Sequence, residues 1–524
     1  MKKLPTGIQV LREILEEGYV YVDKTGIAKE LIDNGKHYFI SRPRRFGKSL
    51  FLNTLEEIFK GNKELFKGCA IYQSDYHWEK HPILYLDFAR ISGRSTEELE
   101  RDLKETLQEI ASLHKIPIGG PSVESYLRKL IAGLAKKQRV VVLVDEYDQP
   151  IISNIKNAEI AEQNRDLLRS FFSAVKSLDR YIEFSFVTGI SKFSHVSLFS
   201  GLNNLNDITM DPKYAGIMGY TDEEIRHHFP DHIRSIVKEK GSCVEEVMEE
   251  MRTWYNGYRF SKDTLCVYNP FSTLSYLGKK EATGYWYRTG TPSFLIDQLK
   301  AYPQSMVALD GSHATEDDLM DISSLEEIDA KALMYQTGYF TVQGYNEISA
   351  RYQLGLPNKE VRTAFMISLV KHFTKTSDVR SSEKFIKALE EYRLDFLFDH
   401  IKAGFASFAY QVFAGAKERT YQAMLLAMFY GMGFDPLSEK STNTGRIDVA
   451  LEMPKTTFIL ELKLDGGAEN ALCQIRDKAY FSPYLHKEKE VALIGANFSS
   501  EKRNVSEWVG ELLSSSGEKV RDLH

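Results

Sequence analysis

The chain has 524 residues, of which 43% are hydrophobic and 27% charged, with a net charge of −6. That length exceeds what one core usually serves, so about three domains are expected, and the charge excludes a chain-wide polybasic binder while leaving local patches such as Arg42 to Lys48 free to meet phosphate. Cys69, Cys243, Cys266 and Cys473 are too spread for a zinc site or disulfide framework, and no apolar run reaches bilayer length, so a reducing cytoplasm is expected, with no secretion signal or membrane contact.

The first segment, residues 1–212, alternates strand-like runs with helical patterns, as parallel α/β domains do. Tyr19 to Val22, a strand-like run, precedes a helix from about Gly26. Tyr38-Phe39-Ile40 has strand character, a basic turn follows, and Leu50, Phe51, Leu55 and Ile58 then recur at helical spacing. Strand, loop and helix place unpaired N–H groups and the positive dipole end where a phosphate can bind. In the loop, Gly47 lets backbone approach a ligand, Lys48 can reach terminal phosphates and the Ser49 hydroxyl can hold Mg²⁺. The P-loop pattern asks for Gly where this chain has Arg42, followed by Pro43, so the loop is stiffer and more cationic. Arg44, Arg45 and Phe46 complete the expected cradle, and the two arginines could supply transition-state charge. The plain alternative is a basic helix cap.

Ile83 to Leu86 and a helix from Thr96 to Leu113 lead to Val140-Val141-Val142-Leu143-Val144-Asp145-Glu146, a run read as a strand buried on both faces. Carboxylates ending such a strand sit where these folds bind ligands. Asp145 is the candidate Mg²⁺ ligand, and Glu146 the candidate that polarises attacking water. They could equally cap a loop beside Tyr147 to Pro150. Ile182 to Val187 forms a further strand ending in Thr188, the candidate γ-phosphate sensor, whose hydroxyl could alternatively satisfy local backbone.

Three motifs, Arg42-Pro43-Arg44-Arg45-Phe46-Gly47-Lys48-Ser49, Val144-Asp145-Glu146-Tyr147-Asp148-Gln149-Pro150 and Thr188-Gly189-Ile190-Ser191-Lys192-Phe193, resemble the bacterial AAA-ATPase-like proteins. Many of these carry a C-terminal PD-(D/E)XK nuclease-superfamily domain, and the family pattern tolerates Arg for the first glycine. The resemblance continues through Trp254 to Phe260, Tyr268 to Phe271 and Thr337 to Tyr339, covering most of the chain.

Residues 213–375 read as a helical lid, with helices over Thr221 to Phe229 and Val244 to Tyr255, followed by a small hairpin pairing Gly338 to Val342 with Ala350 to Leu354. From about Glu383 the pattern is helical through Phe385, Leu389, Tyr392 and Leu397, and again from Glu418 to Tyr430. A hairpin then runs out along Arg446 to Glu452 and back along Thr457 to Leu464. Pro454 forbids the positive φ of the tightest turn, so a loop of about four residues is preferred. That register sets Ile447, Val449 and Leu451 against Leu462, Leu460 and Phe458, with Asp448 facing Glu461 and Arg446 facing Lys463. Facing acids repel unless a cation lies between them, and Mg²⁺ sites are built that way. Lys463 could hold the water or stabilise charge on phosphorus.

This set resembles the PD-(D/E)XK core in the variant where Gly445-Arg446-Ile447-Asp448 replaces Pro-Asp. Gln474, on the next helix with Lys478, resembles that family's glutamine motif, and Glu418 its acidic helix position, although Gln422 stands near where the family often has His. The plain alternative is an amphipathic hairpin with a solvated charged face.

The expected fold class is therefore α/β: a P-loop NTPase parallel-sheet domain (1–212), a helical lid and small hairpin (213–375), and a C-terminal α/β PD-(D/E)XK nuclease-like domain (376–524). The expected function is an ATPase coupled to a metal-dependent nuclease, with ATP and Mg²⁺ as cofactors and nucleic acid, DNA first, as partner. A homo-oligomer is left open. Two alternatives remain: a nucleotide switch whose C-terminal domain only binds nucleic acid or protein, and an inert ATPase with Arg42 and Pro43 filling the phosphate site.

Overall fold

Tyr38, Phe39 and Ile40 form the centre of a strand, His37–Ser41 (β1), buried at every position in a computed structural model that describes residues 1–192, 205–286, 311–320, 322, 329–374, 382–407, 413, 416–432, 434, 436–442, 445–487 and 489–523. It leads into helix Lys48–Phe59 (α1). Strand Ile83–Asp87 (β2) alternates half-buried and buried positions, as a sheet edge does. Val140–Asp145 (β3) is buried throughout, and Ile182–Gly189 (β4) nearly so. With the short Asn206–Asp207 (β5), these strands form one sheet in the order β2-β3-β4-β1-β5, every neighbouring pair parallel. Parallel neighbours need crossovers, and helices supply them. Thr96–Leu113 (α2) and Val123–Leu134 (α3) join β2 to β3, and Ala158–Ser177 (α4) joins β3 to β4. The first of these buries Leu99, Leu103, Leu107 and Ala111, one residue per turn, and is capped by the Ser95 hydroxyl.

The described residues divide into two compact units, one built from residues up to 286 and from 311 to 361, the other from residue 362 onward. In the first unit, helices Asp222–His228, Pro230–Lys240, Val244–Tyr255 and Pro270–Lys279 (α5) enclose a core containing Phe229, Met251 and Tyr255. The expectation of a strand over Tyr19 to Val22 is corrected here. Tyr19 makes a single isolated bridge to Lys3, and Val20 and Val22 are buried in this helical core. Their alternation records packing against helices instead of sheet pairing. A hairpin is present as Thr341–Asn346 (β7) and Arg351–Gly355 (β8), its first strand starting three residues later than the expected Gly338, and an unanticipated His313–Ala314 (β6) joins it in the order β6-β8-β7. Helix Lys359–Thr374 (α6) begins in this unit.

In the second unit, the helical pattern from residue 383 is broken into Ser382–Glu390 and Leu394–Ser407, with Tyr392 between them at φ 55. Helix Glu418–Gly431 (α7) precedes a six-stranded sheet of Leu437–Thr442 (β9), Gly445–Glu452 (β10), Thr456–Leu464 (β11), Glu490–Ser499 (β12), Asn504–Leu513 (β13) and Lys519–Leu523 (β14). The order is β14-β13-β12-β11-β10-β9. All neighbours are antiparallel except β11 and β12, which helix Ala468–Asp477 (α8) connects. The hairpin register is the expected one where the ladder forms: Val449 opposes Leu460 and Leu451 opposes Phe458, and the Met453 N–H closes the loop on Thr456 O at 2.9 Å. Phe193, Gly433 and the side chain of Arg446 lie outside the described residues.

Candidate functional site

Parallel pairing brings the C-terminal ends of β1, β3 and β4 to one edge, with Ile40 beside Thr188 and Val144 beside Val187. The loop after β1 turns into α1 through Gly47, whose φ of 96 only glycine adopts without strain. Two non-glycine residues at this edge, Arg45 (φ 69) and Glu146 (φ 49), also hold left-handed conformations. Such strain persists where surrounding structure enforces it, commonly at functional sites.

A cavity of about 420 Å³ opens here, lined by Arg44, Arg45, Phe46, Gly47, Lys48 and Ser49 and faced by Glu146. The volume lies within the range of small-molecule sites. Its lining also includes the apolar or aromatic Ile8, Tyr21, Ile217 and Phe271. Lys48 is buried, and its ammonium donates to the carbonyls of Arg42 (3.0 Å) and Pro43 (3.1 Å). Burial lowers its pKa, opposed by Glu146 and Asp145. Burial raises the Glu146 pKa, opposed by Lys48. Arg45 is exposed, with its guanidinium 4.9 Å above the Phe271 ring. The Phe46 ring is buried, edge-on to Tyr258 and Phe260.

Asp145 and Thr188 sit behind the cavity and do not line it. The Thr188 hydroxyl donates to Asp145 Oδ1 at 2.8 Å, and the Glu146 N–H donates to the same oxygen at 3.0 Å. Thr188 therefore orients Asp145 in this structure. Arg42 and Pro43 do not line the cavity either. The Arg42 guanidinium bonds Ser41 O and Thr209 O and stacks over Phe260 at 4.1 Å. The reading in which these two residues fill the phosphate site thus finds no support.

Sequence reasoning missed Asp148 and Tyr147. Buried Asp148 accepts from the N–H groups of Ile190 (2.9 Å) and Ser191 (2.7 Å) and from the Ser191 hydroxyl (3.0 Å), while the Tyr147 hydroxyl donates to Ser191 O at 2.9 Å. These bonds bolt the end of β3 to the end of β4. The run Asp145 to Pro150 showed its carboxylates, but which of them would face inward depended on a partner some 40 positions away.

In the second unit Glu461 is only 2% exposed, although it lies on the charged side of the hairpin. Helix α8 covers it because Gly495, its partner on β12, lacks a side chain: a Cβ there would stand 2.2 Å from Ala468 O and 2.6 Å from Leu472 N. The close approach delivers Gln474, whose amide nitrogen donates to Glu461 Oε1. The Glu461 Oε2 atom is buried with no hydrogen-bond partner. Asp448 Oδ2 accepts the Leu462 N–H at 2.9 Å, and Asp448 O accepts from Gln422 at 3.1 Å. Glu418 accepts the Leu464 N–H at 3.0 Å. The Lys463 ammonium stands 3.9 Å from Glu461 Oε1. Burial first, then the Asp448 charge, pushes the Glu461 carboxyl up to about 8. A solvated charged face would show none of this.

An orphaned, buried carboxylate oxygen beside a second acid fits a hard cation. Among the described residues no three His, Cys, Asp or Glu side chains cluster tightly enough to hold an ion by themselves. Two carboxylates suit Mg²⁺, which keeps several waters and takes substrate phosphate as a further ligand.

Comparison with known proteins finds two families along the chain. Residues 5–199 match a family described as "Predicted AAA-ATPase" (AAA-ATPase-like), and residues 416–508 match the PD-(D/E)XK nuclease superfamily. An "Uncharacterized protein in vnfD 5'region" of Azotobacter chroococcum mcd 1 is 36% identical over 530 residues, covering 98% of this chain and 99% of the relative. Among solved structures, that of the Aeropyrum pernix ORC2 protein (ADPNP-ADP complexes) covers 68% of this chain and 98% of its own at 11% identity, with a TM-score of 0.25 that supports no conclusion. With both regions matched in order and a relative aligned from end to end, the chain belongs to the AAA-ATPase-like proteins that carry a C-terminal PD-(D/E)XK nuclease-superfamily domain.

Proposed function

We propose that the chain couples an ATP-binding and ATP-hydrolysing unit to a Mg²⁺-dependent unit that hydrolyses phosphodiester bonds in nucleic acid, DNA first. The observation that carries the reading is Glu461: buried, raised to about 8, one oxygen held by Gln474 and the other orphaned beside Asp448. Asp448 and Glu461 would hold Mg²⁺, which when bound neutralises phosphate charge and lowers the pKa of attacking water. Gln474 fixes one Glu461 oxygen and leaves the other for the ion. Lys463 stabilises negative charge growing on the phosphoryl oxygens.

In the first unit the loop N–H groups from Arg44 to Gly47, with Lys48, take the phosphates; Ser49 would hold Mg²⁺ directly and Asp145 through water; Glu146 orients water; and Thr188 keeps Asp145 in place. Arg44 and Arg45, on the cavity wall, add positive charge. In this reading residues 1–212 form the ATPase-like domain, 213–375 the lid and hairpin, and 376–524 the nuclease-like domain. No described helix is long and apolar enough to cross a membrane, and all four cysteines are free; we place the protein in the cytoplasm.

Digestion of several DNA and RNA forms with Mg²⁺ or Mn²⁺ tests the proposal. Cutting that Asp448→Asn abolishes supports it, and cutting that survives the substitution refutes it. A second reading, binding without cutting, predicts nucleic-acid binding unchanged by EDTA.

A further inference from the structure

The phosphate loop is gripped from outside its own sheet. Arg45 lies over Phe271, Phe46 packs on Tyr258 and Phe260, and the indole N–H of Trp286 donates to Arg44 O at 3.0 Å. Trp286 is wholly buried, 242 positions along the chain from its acceptor. It is held in turn by Glu360, a buried carboxylate that the proposed chemistry does not use. Glu360 accepts from the backbone N–H groups of Tyr285 and Trp286 (2.6 Å for the latter) and from the Ser272 hydroxyl at 2.7 Å. Ser272 follows Phe271 on α5, so one carboxylate ties that helix to the segment carrying Trp286. Glu360 is also the second residue of α6, and the chain passes into the second unit at Arg362.

We propose that Trp286, braced by Glu360, is a positioning residue of the phosphate loop and carries the loop's nucleotide state to the point where the chain enters the second unit. In a trans peptide, C=O and the following N–H point opposite ways. Fixing the Arg44 carbonyl therefore fixes the direction of the Arg45 N–H, one of the donors a phosphate would take, and helps hold Arg45 at its positive φ. Lys48 now occupies the carbonyls of Arg42 and Pro43. When it turns to a phosphate those carbonyls lose their donor, the loop readjusts next to Arg44, and Trp286 moves with it. This inference rests on the first unit binding ATP.

The test uses the full chain and ATP·Mg²⁺. Equilibrium dialysis with labelled ATP compares the parent with Trp286→Phe, which keeps the ring and removes the donor. Loss of one such bond weakens binding about three- to tenfold. In parallel, Trp78, Trp254 and Trp508 are replaced by Phe, leaving Trp286 as the sole tryptophan, and its emission is expected to shift at saturating ATP. A merely structural tryptophan changes melting and moves neither readout. Equal affinities, or an emission spectrum unmoved by bound ATP, overturn the inference and leave the nucleotide reading standing. Failure of the parent to bind ATP overturns both.

Discussion

Replacing Glu461 by glutamine should make the metal-free second unit more stable, and only above a certain pH. The Glu461 carboxyl titrates near 8 in the folded protein against an ordinary 4.5. A group whose folded pKa is raised contributes stability that is fully present below the unfolded value and is lost as pH climbs through the folded one. The parent's stability in EDTA should therefore fall between about pH 4.5 and 8. The gap corresponds to about 5 kcal/mol at pH 9. Glutamine keeps the acceptor for Gln474 but sets an amide nitrogen where Oε2 is now unpartnered, at a cost of about 1–3 kcal/mol. The expected net gain is about 2–4 kcal/mol at pH 9, which moves the melting temperature by roughly 5–15 °C for a unit of this size, and it reverses to a deficit of about 1–3 kcal/mol near pH 4, where only the amide's cost remains. Thermal melting in EDTA across pH 4–9 reads it. Mg²⁺ should stabilise the parent and leave the variant unmoved. Parallel pH curves for the two proteins would show that no excess charge strain is stored at Glu461, and the argument for a cation site would fail.

Lys48→Ala removes a charged phosphate donor, so ATP affinity should drop about 10- to 100-fold by equilibrium binding; an unchanged affinity removes the nucleotide reading. Gly495→Ala puts a Cβ 2.2 Å from Ala468 O. It should lower the second unit's stability by about 1–3 kcal/mol and reduce cutting beyond what the melting shift explains, because Gln474 is carried away from Glu461. Thr188→Val takes a hydroxyl from buried Asp145 and should cost about 1–3 kcal/mol in urea unfolding. If Thr188 only filled space, the near-isosteric valine would be neutral.

The two larger sheets are legible because their central strands are buried on both faces, and such strands must be written as apolar runs: Val140 to Val144 and Phe458 to Leu460. The hairpin register followed from Pro454 and from the alternation of Val449 and Leu451. Tyr19 to Val22 misled because alternation also suits a segment packed against helices. What stayed hidden depends on approach across long stretches of chain. Gly495 reads as one more small residue until α8 is seated on it, and only then does Glu461 become a buried acid. Glu360 and Trp286 lie in no phosphate motif, yet Glu360 holds the Trp286 backbone and the Trp286 indole donates to the phosphate loop at Arg44 O. Asp145 and Thr188 were each singled out, but their bond to one another could not be read from either motif alone.

The most direct measurement is the rate at which the full chain cuts labelled DNA and RNA in Mn²⁺ or Mg²⁺, with and without ATP, for the parent and for Lys48→Ala. The account predicts metal-dependent cutting that ATP changes severalfold in the parent and leaves unaltered in Lys48→Ala. Nucleic acid left intact by the parent under every condition, or an ATP response that persists in Lys48→Ala, would contradict it.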